Sequence, residues 1–207
     1  LLQQWTLLIL KWTLAILTGQ LRFGGSSKMA MTLITTNIED SDSESVFSSS
    51  IDSTYKLYIF SWINVNPETD NTVMTVDFSI DSGSNYNLNI TSLHWTVAHT
   101  SDDAVTDLDK VTSYSQHGED DPQEITASIG NAATENSCGN LWLFNPAGTT
   151  YSKMFSSTSV NLSSGAKQYA NHNWVDGKIM TTSAVNTVKF TMDSGDFDGT
   201  FKMYGVK

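Results

Sequence analysis

Three aspartates near the carboxyl end form the best candidate for a cation site. Asp193, Asp196 and Asp198 alternate with glycine in the run DSGDFDG (residues 193–199). Hard cations such as calcium need several oxygens converging within about 2.5 Å, and carboxylates on a glycine-bearing loop can supply them. Aspartate and glycine are also the residues of a tight hairpin turn, and the run lacks the distal glutamate of an EF-hand loop. The sequence therefore predicts a hairpin, with calcium as the weaker alternative and no other cofactor.

The four histidines do not have the spacing of a metal site. His94 and His99 are five positions apart, so a regular strand places them on opposite faces. His117 and His172 each lack a histidine or cysteine neighbour in the sequence. Because a structural zinc ion needs four converging nitrogen or sulfur ligands, we predict structural or surface histidines and no zinc site.

No catalytic motif is present. The chain contains no Gly-x-Ser-x-Gly elbow, no Walker loop and no His-Glu-x-x-His helix. Carboxylates are numerous, but the sequence does not reveal which of them face each other across a groove, as glycoside hydrolysis requires. We therefore assign no catalytic residue and predict that the protein is not an enzyme.

Aromatic side chains offer a different chemistry, because their flat faces can stack on sugar rings. Most of them fall inside strand patterns, where packing in the core is the expected role. The candidates are Trp62, Trp95, Trp142, Trp174, Tyr151 and Tyr169.

The composition excludes some partners. The 207 residues include 11 basic and 22 acidic side chains, a net charge of −11. Nucleic-acid binding depends on clustered lysine and arginine, so we predict no nucleic-acid partner. Cys138 is the only cysteine, so no intrachain disulfide can form. It lies in a turn-like context without a nearby base, which indicates a passive thiol.

Short strand patterns separated by Asn, Asp, Ser and Gly follow one another from residue 31 onward. In the clearest, Met74, Val76, Phe78 and Ile80 alternate with polar residues, which predicts one dry side and one wet side. No helical pattern alternates with the strands, so residues 31–207 are predicted to form an all-β, two-sheet antiparallel β-sandwich of jelly-roll-like type. Of the strands predicted, about eight to ten are expected to form: residues 32–38, 45–51, 55–65, 72–80, 86–98, 124–129, 141–145, 151–160, 168–175, 178–182, 185–192 and 200–204.

Three segments carry more specific predictions. Residues 55–65 are apolar on both faces, which predicts a central strand covered on both sides. The apolar positions of residues 86–98 change phase, which predicts a bulge near Thr91 or Ser92. Residues 101–123 are acidic and weakly patterned, and we expect a long exposed loop with room for a short helix.

Residues 1–30 are an apolar amino-terminal extension or linker. Their apolar run is shorter than the roughly 20 residues of a membrane span and is divided by Lys11, so we predict no membrane span. A signal peptide would have a basic amino end, which this segment lacks. Two interpretations stay open: a segment that attaches the protein to a partner, or a leader artefact upstream of a natural start at Met29 or Met31.

Four segments of residues 31–207 carry a family resemblance: IDSTYKLYIF (51–60) with INVNP (63–67), FSIDSGSNYN (78–87), LWLFNPAGTTYSK (141–153) and GDFDGTFKMYGV (195–206). They resemble virion-associated proteins of tailed phages, especially marine phages that infect cyanobacteria and other bacterioplankton. The resemblance implies a jelly-roll sandwich on the particle, as a tail-fibre-like or head-decorating part, and it implies no catalytic residues. The apolar extension has no counterpart in that family.

The first functional hypothesis is a non-enzymatic, multicopy structural component on the surface of a tailed-phage virion. Its expected partners are other virion proteins and copies of itself in a homo-oligomer, with a trimer favoured, and host surface glycans are a further candidate. The alternative is a carbohydrate-binding β-sandwich module, and a glycan depolymerase is a third class. Solvent-facing aromatics in a row would favour the carbohydrate-binding module, whereas buried aromatics would favour the structural part.

Overall fold

The computed structural model describes residues 30–165 and 168–207. The described residues contain thirteen strands, one short 3-10 helix at Thr112–Tyr114 and no α-helix. The strands are β1 (Met31–Asp42), β2 (Glu44–Phe47), β3 (Leu57–Pro67), β4 (Met74–Ser79), β5 (Ile90–Thr100), β6 (Thr106–Lys110), β7 (His117–Glu119), β8 (Gln123–Glu124), β9 (Ser137–Phe144), β10 (Lys153–Leu162), β11 (Tyr169–Ile179), β12 (Thr187–Met192) and β13 (Phe197–Val206).

The strands form two antiparallel sheets packed as a sandwich, which confirms the predicted fold class. The larger sheet has nine strands in the order β1-β13-β3-β9-β10-β11-β5-β6, with β7 also pairing with β5. The smaller sheet has four strands in the order β2-β12-β4-β8. The predicted extension, apart from residue 30, lies outside the described residues. Within the described ranges, no helix has the length and apolar character to cross a membrane.

Most strand predictions are confirmed to within a few residues. Three regions of the chain differ from their predictions. Residues 168–175 and 178–182 belong to one strand, β11. Residues 124–129 contribute only the end of β8 and an isolated bridge between Ile129 and Thr72. Residues 101–123 contain the short helix that the sequence allowed for, at Thr112–Tyr114, but they are not one long loop, because β6 and β7 pair with the edge of β5. Tertiary pairing supplies the partners that these weakly patterned segments need.

One half of the interior is apolar, and we call it the apolar half. Here β13, β3 and β9 of the larger sheet pack against β12, β4 and β2 of the smaller sheet in one cluster of buried hydrophobic side chains. Phe190 lies among the rings of Phe47, Phe60, Trp62 and Phe201, with centroid distances of 5.3 to 6.4 Å. Burying each such side chain stabilises the fold by about 1.5–3 kcal/mol.

The other half of the interior is polar. At one end of β10, β11 and β5, Phe155, Ile179 and Ile90 belong to the hydrophobic cluster. Toward the other end the inward faces of these strands are polar and are covered by residues 114–128, which are mostly irregular. Asn173 is the centre: its Oδ1 accepts hydrogen bonds from the Thr96 hydroxyl (2.9 Å) and the Ala127 N–H (3.0 Å). Its Nδ2 donates to Ser159 Oγ (3.0 Å) and Asn161 Oδ1 (2.9 Å). Buried polar groups paired in this way hold an irregular segment on a sheet. We refer to this region as the polar half.

The outer face of the larger sheet differs from its prediction. Strand β3 is central, but only its inward side, with Tyr58, Phe60 and Trp62, is buried. The outward side chains of Leu57 and Ile59 are half-buried, so the expectation of cover on both sides is wrong.

Strand β5 also presents apolar residues to the outside. Leu93 and Trp95 point outward, whereas Ser92 and His94 are buried. The pairing of β5 with β11 is unbroken, so the predicted bulge is absent from it, and a register shift near Thr91 lies against β7.

Strand β4 is buried on both faces. Met74, Val76 and Phe78 are buried as predicted, and Ile80 follows the end of the strand and is exposed. The predicted wet side is wrong, because Thr75, Asp77 and Ser79 are buried as well. Burial raises the pKa of Asp77 to about 6.

Candidate binding surface

Of the three aspartates of residues 193–199, Asp193 and Asp196 lie on a turn between the two sheets, and Asp198 is the second residue of β13. This turn joins β12 of the smaller sheet to β13 of the larger one, so the predicted hairpin is wrong. Asp198 Oδ1 accepts a hydrogen bond from the Ser41 N–H (2.8 Å), and Asp193 lines a cavity on the side of β8 and β12. Within the described residues no three His, Cys, Asp or Glu groups are placed to hold a metal ion.

The histidines occupy four separate environments. His94 is buried in the polar half and His99 is exposed, on opposite sides of β5 as predicted. His99 Nε2 lies 2.9 Å from Asp103 Oδ1, and His117 is exposed on β7. His172 lies on the outer face of β11, where it stacks on Trp174.

Cys138 belongs to a strand rather than a turn. It is the second residue of β9, and its sulfur lies 3.3 Å from the Asn64 N–H. The turn-like context predicted for it is wrong, because residues 137–140 pair with β10.

A cavity beside β7, β8 and β12 is acidic. It has a volume of about 590 Å³ and is lined by hydroxyl groups, by His117 and by the carboxylates of Glu119, Asp121, Glu124 and Asp193. Burial raises the pKa of Glu124, and the charges of Asp193 and Asp121 raise it further. Such a cavity repels anions, and it lies away from the outer face of the larger sheet.

The aromatic residues that could stack on sugars are mostly not in the core. Of the six, only Trp62 is fully buried. Trp95 is 41% exposed, Tyr151 is 78% exposed, and Trp142 and Trp174 are half-buried. The expectation of core packing is therefore wrong for five of the six side chains, which include Tyr169.

Two of these tryptophans and a histidine form a platform on the outer face of the larger sheet. Trp95 of β5 lies directly opposite Trp174 of β11, which places their Cβ atoms about 5 Å apart. His172, two positions before Trp174 and on the same face, stacks on its indole with a centroid distance of 4.0 Å and an interplanar angle of 28°. We call these three residues the aromatic platform.

Two shallow concavities adjoin the aromatic platform at His172, and both are lined by His172 and Val160. One, of about 330 Å³, is lined by Val97, Leu162 and the amides Asn136 and Asn171, among others. The other, of about 240 Å³, is lined by Asn140, Thr158 and Cys138. The linings contain apolar carbons, amides and a hydroxyl group but no carboxylate and no lysine or arginine, which is the composition of a site for an uncharged polar ligand.

A second apolar region lies on the same outer face, nearer β1. One row across four strands consists of Leu33, Tyr204, Ile59 and Trp142. The next row consists of Met31, Val206, Leu57, Phe144 and Met154. These nine side chains form a continuous apolar band, and exposed patches of this kind mark interaction surfaces.

Comparisons of the chain with known protein families, curated proteins and solved structures found no significant match. The resemblance to phage virion proteins therefore stays a prediction. The aromatic platform, its two concavities and the apolar band are the observations on which a function can be argued.

Proposed function

We propose that this protein is a non-enzymatic β-sandwich module that binds glycans on the outer face of its larger sheet. The observation that carries the proposal is the aromatic platform: Trp95 and Trp174 side by side on adjacent strands, with His172 stacked against Trp174. One face of a pyranose ring presents C–H groups, which pack against the negative face of an aromatic ring and leave the hydroxyls free.

The polar groups around the aromatic platform suit a neutral sugar. The amides of Asn136 and Asn140 and the hydroxyl of Thr158 can donate and accept hydrogen bonds with ring hydroxyls. The net charge of −11 disfavours acidic polysaccharides, because like charges repel at long range. Neutral oligosaccharides are therefore the expected ligands.

The experiment is a screen of the full chain on a glycan array, followed by affinity measurement on the glycans retained. Trp95→Ala and Trp174→Ala each remove one stacking face, and each is expected to weaken binding at least about tenfold, since an aromatic anchor contributes about 1.4 kcal/mol or more. Tyr151→Ala removes a more exposed aromatic side chain that lies outside the aromatic platform, and the affinity of this variant should equal that of the wild type. Full binding by both tryptophan variants would refute the proposal.

The same screen should also test whether binding depends on calcium. Repeating the measurement in EDTA tests whether Asp193, Asp196 and Asp198 bind a cation that binding needs. The aromatic platform lies on β5 and β11, and three strands separate β11 from β13, which carries Asp198, so we expect EDTA to leave the affinity unchanged.

The second candidate function is the multicopy structural part of a tailed-phage virion. The apolar band supports it, because a particle component needs surfaces for its neighbours. The resemblance of residues 31–207 to virion proteins supports it too. Antibody labelling of particles from a phage that encodes the chain is expected to decorate the head or the tail in electron micrographs. Unlabelled particles, with the protein found only in the lysate, would exclude this role and leave glycan binding intact.

A further inference from the structure

The four sheet edges in the described part of the molecule are not alike. Strand β8 has two residues, β2 has four and begins with Glu44, and β6 has five, of which Asp107, Asp109 and Lys110 are charged. Strand β1 has twelve residues, and its charged side chains, Glu39, Asp40 and Asp42, all fall in its last four positions. Short or charged edges resist pairing with another chain, whereas a long uncharged edge invites it.

The first eight residues of β1, residues 31–38, are therefore an unprotected edge. They pair with β13 on one side, with a register shift at Ile34 that puts Thr36 and Ile38 on the same face as Met31 and Leu33, and no described strand pairs with the other side. Their outward side chains, Met31, Leu33 and Ile38, are exposed, and two of them begin the apolar band. A strand added at this edge would satisfy the open backbone groups and extend the apolar band without a break.

We infer that residues 31–38 pair antiparallel with the same residues of a second copy of this chain, so that two larger sheets join into one. A segment that pairs with itself must place outward residues opposite outward residues. This condition is met when Met31 of one copy lies opposite Ile38 of the other, and Leu33 of one copy lies opposite Thr36 of the other. This register also leaves Glu39 and Asp40 outside the paired stretch, where their charges do not meet in the middle of the interface. Glycan binding is not required for this pairing.

The first measurement is the sedimenting mass of the full chain as a function of concentration. The wild type is expected to sediment as two chains. Ile38→Lys places an ammonium at an edge position that is 76% exposed, and it is expected to sediment as one chain. Leu108→Lys makes the same change on the opposite edge strand, at a position that is 62% exposed, and is expected to remain a pair.

The second measurement tests the register. In a Cys138→Ser background, Leu33→Cys combined with Thr36→Cys should oxidise to a covalent pair of chains, because directly opposite residues meet the Cα separation of a disulfide. Leu33→Cys combined with Ile38→Cys should not form this covalent pair, because these two positions do not lie opposite each other. A wild type that sediments as one chain or as three, or an Ile38→Lys variant that still pairs, would overturn the inference.

Discussion

The apolar half and the polar half of the interior hold the sandwich together by different means. In the apolar half two sheets face each other, and rings such as Phe190 and Phe201 stabilise them by removal from water. In the polar half one sheet faces residues 114–128, and directed hydrogen bonds from Asn173 and its neighbours hold the cover in place. The hydrophobic contribution scales with area and tolerates small shifts, whereas a hydrogen-bond network depends on every member. The two halves should therefore fail differently.

The largest loss is expected in the apolar half. Phe190→Ala removes a ring that contacts four others and leaves a cavity, so the free energy of unfolding should fall by about 3–5 kcal/mol. Urea denaturation with fluorescence detection measures it. Phe190→Leu, which keeps most of the volume, should lose clearly less. Equal losses for the two variants would mean that the cavity does not govern stability here.

The corresponding substitution in the polar half removes the side-chain amide of Asn173. Asn173→Leu removes the acceptor of the Thr96 hydroxyl and of the Ala127 N–H, and it removes the donor to Ser159 and Asn161, so the free energy of unfolding should fall by about 2–4 kcal/mol. Hydrogen exchange of residues 114–128 distinguishes the halves: protection should be lost there first, while that of β12 is retained. Uniform loss of protection would show that the halves unfold together.

A substitution at Asp77 is expected to raise the free energy of unfolding rather than lower it. The folded pKa of Asp77, about 6, lies above the ordinary 3.8, so the native state holds the proton more tightly and stability falls as pH rises from about 4 to about 6. Asp77→Asn keeps the acceptor for the Phe78 N–H and should stabilise the protein by about 1–3 kcal/mol at pH 8 and hardly at pH 4. Thermal unfolding at both pH values measures it, with Asp107→Asn on exposed β6 as the charge-matched control.

The smallest effect expected is at His94 in the polar half. Burial lowers the pKa of His94, and hydrogen bonds to Asn173 and to the Glu124 backbone offset only part of that effect. Because the unfolded histidine takes up a proton near pH 6.5, stability should fall as pH drops below that value, opposite in sense to Asp77. His94→Gln should flatten this slope. A slope unchanged from the wild type would place its origin in other groups.

Much of the fold could be predicted from the sequence. Alternation in residues 74–80 and 185–192 predicted β4 and β12, because a period of two is a local property of an extended chain. The candidate binding surface was harder to predict from the sequence. Leu93, Trp95 and Val97 were expected to face the core, and the phase change before them was interpreted as a bulge. The structure keeps the strand regular and buries Ser92 and His94 instead, since residues 114–128 supply polar partners for that side.

The sequence by itself determined that this chain forms strands, that they are antiparallel and helix-poor, and that no disulfide supports them. These properties depend on side-chain period, turn residues and cysteine count, which act over a few residues. Only the tertiary structure decided which side of each strand is inside, because both sides of β3 and β5 carry apolar residues. The choice depends on what packs above each strand, and residues distant in the chain provide it. The same choice turned Trp95 and Trp174 outward, side by side, and so created the aromatic platform.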